Sequence, residues 1–232
     1  MNENFETLAK MVQKDVTALE AKLNLLMQMY QEGKEDGAED LLNEAILLAE
    51  KMSIRNRELV LSNGSPNAKE DLEKILAEEH PMKIGFTPQG WFGIQMEPLA
   101  KCKDTASKEY IRGIIYPAIR KFFADKGTVH HDKCTVVFRH VYDENLPDSR
   151  MRDYDNVEVK MVTDTVAMYV MVDDSPAHCR VFHCSASGAE PHTEVYVIPQ
   201  DEFIEWVKLE DTLSDEGLPL SDQVPERWLV DM

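Results

Sequence analysis

Between Arg152 and Asp174 the chain reads RDYDNVEVKMVTDTVAMYVMVDD. Asp153 and Asp155 stand two positions apart at its start, Lys160 and Asp164 lie within an apolar run, and Asp173 and Asp174 close it. Aspartates interleaved with Val and Met are poor core material, because an ionised carboxylate is costly to bury without a partner. If the two ends of the segment fold back near each other, Asp153, Asp155, Asp173 and Asp174 gather into an oxygen-rich cluster. Such a cluster suits Mg²⁺, a hard cation that takes carboxylate and water oxygens. Asp and Asn also cap helices and favour their N-termini, so the same residues can be read as caps and solvated faces.

A second constellation is HCRVFHC from His178 to Cys184, with His192 nearby. Cys179 and His183 alternate onto one strand face, and a hairpin would bring His192 across to join them as zinc ligands. The paired short spacings of a structural zinc site are missing, which favours small side chains on a half-buried strand. His130 and His131 fall on a polar connection and read as solvated. No Gly-rich phosphate loop, GxSxG elbow or HExxH occurs.

These side chains must be positioned by elements that the periodicity outlines. The run from Asn156, with Val157, Val159, Val162, Val166 and Tyr169, fits a helix, and Lys160 and Asp164 are spaced to pair along it. Upstream, Met82 to Met96 reads as a strand, Ser107 to Asp125 as a helix that Pro117 should kink, and Cys134 to Val141 as a strand. Downstream, Arg180 to Ser185 and Thr193 to Ile198 read as a β-hairpin joined through Gly188, followed by a short helix from Glu202 to Leu209. The tail from Ser214 is acidic and rich in turn formers, and is expected to stay flexible until something docks it.

The N-terminal part differs. Apolar residues recur at helical steps from Phe5 to Tyr30 and again from Leu41 to Met52, with a glycine-bearing break between them. This predicts an antiparallel helical hairpin that cannot bury both of its apolar faces alone. After the turn chemistry of Ser62 to Pro66, a short helix from Ala68 to Glu79 leads to His80 and Pro81. The expected organisation is a hairpin and linker helix over 1–80, an α+β domain over 81–200, and a short helix and acidic tail over 201–232. The expected fold class is α+β, with a small mixed sheet and helices packed on one side of it.

The acidic segment, placed in this order of elements, resembles the RusA family of Holliday junction resolvases. RDYDN, then a Lys, then an Asp four residues on, then VDDSP before strands, is similar to that family's pattern of D-x-D-N leading a helix with a Lys and a further Asp, then a DD pair. The similarity covers roughly Gly90 to Ile198 and leaves the N-terminal hairpin and the tail unaccounted for. It implies Mg²⁺ held by Asp153, Asp155 and one of Asp173 and Asp174, with Asp174 favoured, and an activated water attacking a phosphodiester in line. Asn156 would hold the helix start, Lys160 would meet the phosphate or its leaving oxygen, and Arg139, Arg150 and Arg152 would line the groove for DNA. Lys160 departs from the pattern, since the family's lysine follows the second Asp by four residues and here by five. On an ideal helix that rotates it by about 100°, away from the metal site unless a bulge absorbs the insertion.

Charge narrows the partners. The chain of 232 residues carries 25 basic and 43 acidic side chains, a net charge of −18, which argues against whole-surface affinity for nucleic acid. Residues 81–160 nevertheless hold 13 basic and 11 acidic side chains, against 9 and 17 in residues 1–80 and 3 and 15 in residues 161–232. A polar N-terminus and the absence of a long apolar run point to a cytoplasmic protein with no membrane span, and Cys102, Cys134, Cys179 and Cys184 read as reduced thiols. Two functions follow. One is a Mg²⁺-dependent, structure-specific endonuclease that cuts branched DNA as a homodimer. The other is a catalytically impaired RusA-like binding or assembly module of a mobile element, engaging protein partners through the hairpin.

Overall fold

Helical periodicity dominates the first sixty residues, and in the computed structural model they form two long helices. The structure describes residues 3–34, 37–99, 105–127, 129–145 and 159–228. The chain divides into two compact units, Met1–Leu76 with Lys103–Tyr110, and Ala77–Cys102 with Ile111–Met232.

In the first unit, α1 (Glu3–Gln31) and α2 (Ala38–Ser62) pair along their length. Leu8, Val12, Leu19 and Leu26 of α1 share a seam with Leu41, Ala45, Leu48 and Met52 of α2, and all are at least half-buried. Asp15 pairs with Arg55 and Lys22 with Glu44, so late α1 meets early α2 and the helices run antiparallel. Gly37, at φ 83, supplies the left-handed residue that starts α2. The second helix extends past Met52 to Ser62, because SIRNRELVLS lacks a breaker and Arg55 and Leu59 continue the seam. α3 (Ala68–Glu79) follows with the bounds expected from its sequence.

The second unit is built on a five-stranded sheet ordered β1-β2-β5-β3-β4. Residues 82–96, expected as one strand, fold as a hairpin of β1 (Lys83–Phe86) and β2 (Phe92–Met96). Pro88 and Gln89 lead to Gly90 at φ 83, and Thr87 N donates to Trp91 O at 2.8 Å, which closes the turn. α4 (Thr105–Phe122) continues through Pro117. β3 (Cys134–Asp143) and β4 (Cys179–Gly188) are parallel over their whole length, while β5 (His192–Pro199) lies antiparallel between β2 and β3. The expected β4–β5 hairpin does not form. α5 (Val159–Val170) carries the chain back to the start of β3, so β4 enters parallel on its outer side, and the link after Gly188 crosses the end of β3 to reach β5.

Both faces of the sheet are covered. On one, Phe86 and Phe92 meet Phe122 and Phe123 at the end of α4, and Phe123 stacks on Tyr169 of α5 at 5.5 Å. The other holds Trp91, Val137, Tyr196 and Ile198 against Trp206 of α6 (Phe203–Glu210), with Leu213, Leu218 and Leu220 packed around them. The class is α+β, long N-terminal helices followed by a mixed sheet with helices, and α6 adds a layer on the side expected to be bare. The acidic tail is also not flexible through Trp228. Leu218 N donates to the Tyr196 hydroxyl at 2.9 Å, Ser221 bridges Phe86, and Trp228 is buried against Phe86. Cys134, Cys179 and Cys184 are free, buried thiols.

Candidate functional site

α5 inserts Val162, Val166 and Val170 into the core, each fully buried, which turns Lys160 and Asp164 outward on the opposite side of the helix. Lys160 Nζ donates to Asp164 Oδ1 at 2.8 Å, as the four-residue spacing predicts. Beyond α5 the chain is pinned by Val172 N donating to His131 O, then turns so that His178 N and Cys179 N both donate to Ser175 O. This turn brings Asp174 back alongside the helix, where its Oδ2 lies 3.9 Å from Lys160 Nζ.

Three side chains thus converge, two carboxylates and one ammonium. Asp174 is hydrogen-bonded to Asp164, and that contact, reinforced by desolvation and by the charge of Asp164, raises its carboxyl above the usual range while Lys160 opposes the rise. Asp164 in turn raises the ammonium of Lys160. The arrangement is open to solvent, with side-chain exposure of 34% at Asp164 and 40% at Asp174. Two carboxylates in contact, with a cation at their edge, can take up a proton or a further cation.

Lys160 reaches Asp164 and comes to 3.9 Å from Asp174, while its expected rotation away from a metal site led by Asp153 and Asp155 falls on residues outside the described ones. The adjacent aspartates separate in role. Asp174 faces Asp164, whereas Asp173 accepts from the Ser175 side chain, which lowers its pKa, with a smaller contribution from His178. Asp153, Asp155, Asn156, Arg150 and Arg152 lie outside the described residues. Among the described residues, no three His, Cys, Asp or Glu side chains converge to hold a metal ion.

Arg139 is corrected outright. Its position on β3 alternates to the face covered by α6, and it is 3% exposed. Its Nη1 donates to Glu194 Oε1 at 2.8 Å and its Nη2 to Ser214 O at 3.0 Å. Tyr196 OH donates to Glu194 Oε2 at 2.8 Å, and His192 Nε2 lies 2.9 Å from Glu194 Oε1. A guanidinium so enclosed fastens the C-terminal segment and cannot meet DNA. The signal was present in sequence as a lone Arg at an inward position of CTVVFRHV and a Glu in the strand HTEVYVIP.

The zinc reading also fails on geometry. His192 is in register with Val141 on the face opposite Cys179 and His183, and is bonded to Glu194. His183 instead meets His140, Nδ1 to Nε2 at 3.4 Å. His131, expected in solvent, is half-buried edge-on to Trp228, and burial foremost, then Arg227, depresses its pKa to about 4.

Comparison with known proteins adds a family and no activity. Residues 1–223 match a family described as "Family of unknown function (DUF6100)", and the chain belongs to that family. No curated protein and no solved structure matches it. Among the described residues, no helix is long and apolar enough to cross a membrane.

Proposed function

We propose that this chain is a RusA-like, Mg²⁺-dependent endonuclease for branched DNA, acting as a homodimer. The observation that carries the reading is the convergence of Lys160, Asp164 and Asp174, three residues of the segment led by the D-x-D-N motif. Asp15, by comparison, is matched singly to Arg55. Here two carboxylates share one exposed lysine, which leaves excess negative charge where a divalent cation would be favoured.

The donor chemistry fits Mg²⁺. Asp174 and Asp164 offer carboxylate oxygens, and Asp153 and Asp155 are the residues that would complete the set. When bound, the ion supplies charge neutralisation at the phosphate and activation of the attacking water. The chain's own residues do the rest. Lys160, whose pKa Asp164 raises further, offers a cation to the oxygen that leaves, and Asp164 fixes the direction in which that ammonium points. Arg150 and Arg152, just ahead of Asp153, would steady the flanking phosphates.

The test is cleavage of a labelled four-way junction in Mg²⁺ and in EDTA, by the wild type and by Asp155→Asn. Cleavage only with Mg²⁺ and only by the wild type is the expected result. Intact junction in every lane rejects the nuclease.

A second reading is favoured by one observation. With Arg139 interior, the cations proposed for DNA reduce to Arg150, Arg152 and Lys160, on a chain of net charge −18. A RusA-like binding or assembly module needs fewer phosphate contacts. It is the reading to adopt if the junction is bound but never cut, with the N-terminal hairpin then the surface for protein partners.

A further inference from the structure

At the end of the sheet where β3 and β4 begin and β5 ends, a cavity of about 460 Å³ opens to solvent. Backbone pairing builds it. Cys134 N donates to His178 O at 2.9 Å and Gln200 N to Lys133 O at 3.1 Å, which sets residues 133, 178–180 and 200–201 around one opening. Pro176 and Ala177 form another wall, so the turn that carries Asp173 and Asp174 also borders this cavity.

The charges lining it are unusual for so acidic a chain. Two cationic side chains, Lys133 and Arg180, and the imidazole of His178 face one lining acid, Asp201, while Asp132 beside the lining pairs with His178. Elsewhere the guanidiniums of Arg55, Arg139 and Arg227 each meet a carboxylate. Arg180 is held by a neutral group instead, since Gln200, with its amide oxygen turned inward, accepts from both terminal nitrogens at 2.9 and 3.0 Å. The guanidinium is thereby oriented without losing its charge. Lys133 makes no ion pair among the described residues. His178 is anchored through Nδ1, 2.9 Å from both the backbone oxygen and Oδ1 of Asp132, a geometry that leaves Nε2 available. On a chain with 43 acidic and 25 basic side chains, a lysine and a guanidinium held at a cavity without an ion pair of their own are poised for an anion from outside.

We propose that the cavity lined by Lys133, His178 and Arg180 is a binding site for a phosphate group. The oriented guanidinium provides paired donors that match phosphate oxygens, the lysine adds a point charge, and Nε2 of the histidine adds a further hydrogen-bonding group from another side. The phosphate can come from a nucleic-acid backbone or from a small phosphorylated molecule. Because the site requires no metal and no bond cleavage, it holds or fails independently of the nuclease reading.

The test follows the His178 ring and Arg180 side-chain resonances of the full chain at low salt. The titrants are inorganic phosphate and, separately, an eight-residue oligothymidylate lacking terminal phosphates. Saturable shifts at both residues are expected with at least one probe. Arg180→Gln should weaken that binding about tenfold, the loss of one charge-assisted contact, and Lys133→Met should weaken it in the same direction. Both side chains are exposed, so wild-type thermal unfolding is expected for both variants and serves as the check on folding. Saturation by the oligonucleotide assigns the site to a nucleic-acid backbone, and saturation by inorganic phosphate alone assigns it to a small phosphorylated molecule. Shifts that never saturate with either probe, or variants that bind as the wild type does, overturn the proposal.

Discussion

At the scale of single residues, the Asp164–Asp174 contact makes a prediction that needs no substrate. Asp174 has a folded pKa raised above its ordinary value, chiefly by Asp164. A raised carboxyl contributes stability that is fully present below its unfolded pKa and is lost as pH rises through the folded one, so at neutral pH the pair repels. Asp164→Asn should therefore lower the Asp174 pKa, read by carbon NMR, and raise the Tm slightly at pH 7, with the difference vanishing below pH about 4. Lys160 and solvent screening keep the gain within about 1 kcal/mol. An unchanged Asp174 pKa in that variant would remove the coupling. His131 gives the opposite sign. Its pKa is depressed to about 4 by burial, so its contribution is present above pH 6.5 and is lost as pH falls toward 4. His131→Phe, which also removes a buried Nε2 without a partner, should flatten the fall of Tm across that window. A slope equal to that of the wild type would contradict this.

At the scale of elements, the buried Arg139–Glu194 pair is the tie between the sheet and the C-terminal segment. Arg139→Ala leaves a carboxylate that is 1% exposed without its guanidinium, held only by Tyr196 and His192, and should cost about 3 kcal/mol. It should also speed amide exchange at Leu218, whose N–H donates to the Tyr196 hydroxyl beside Glu194. Exchange unchanged at Leu218 would mean the segment is held by its leucines alone. The elements themselves were unevenly legible. α3 could be read because the turn residues Ser62 to Pro66 and then Pro81 bound it, and α5 because Val162 and Val166 keep helical steps. The β1–β2 turn was missed because Trp91 and Phe92 continue the apolar pattern straight across Gly90. The β4–β5 pairing was missed for another reason. Alternation shows that a stretch is a strand, but its neighbour is set by the crossover through α5, which no local pattern encodes. At the site, the Lys160–Asp164 spacing was legible, while the return of Asp174 depends on the turn at Ser175, and the basic residues around the cavity come from two separate stretches of chain.

At the scale of the whole molecule, net charge decides how DNA can be engaged. An excess of 43 acids over 25 bases repels a phosphate backbone everywhere except where cations are gathered locally. Junction binding should accordingly be weak and confined to few contacts, with a shallow salt dependence that a broad basic face would not give. A homodimer with two cutting sites should sediment at twice the protomer mass, and a monomer at micromolar concentration would leave one site per particle and argue for the binding module. The most direct test of the central claim is single-turnover cleavage of a four-way junction by wild type, Lys160→Ala and Asp174→Asn, with junction affinity measured beside it. Near wild-type affinity is expected for Asp174→Asn and a modest loss of affinity for Lys160→Ala, with single-turnover cleavage slowed by about 10² or more in both. Cleavage by both variants at the wild-type rate would contradict that claim.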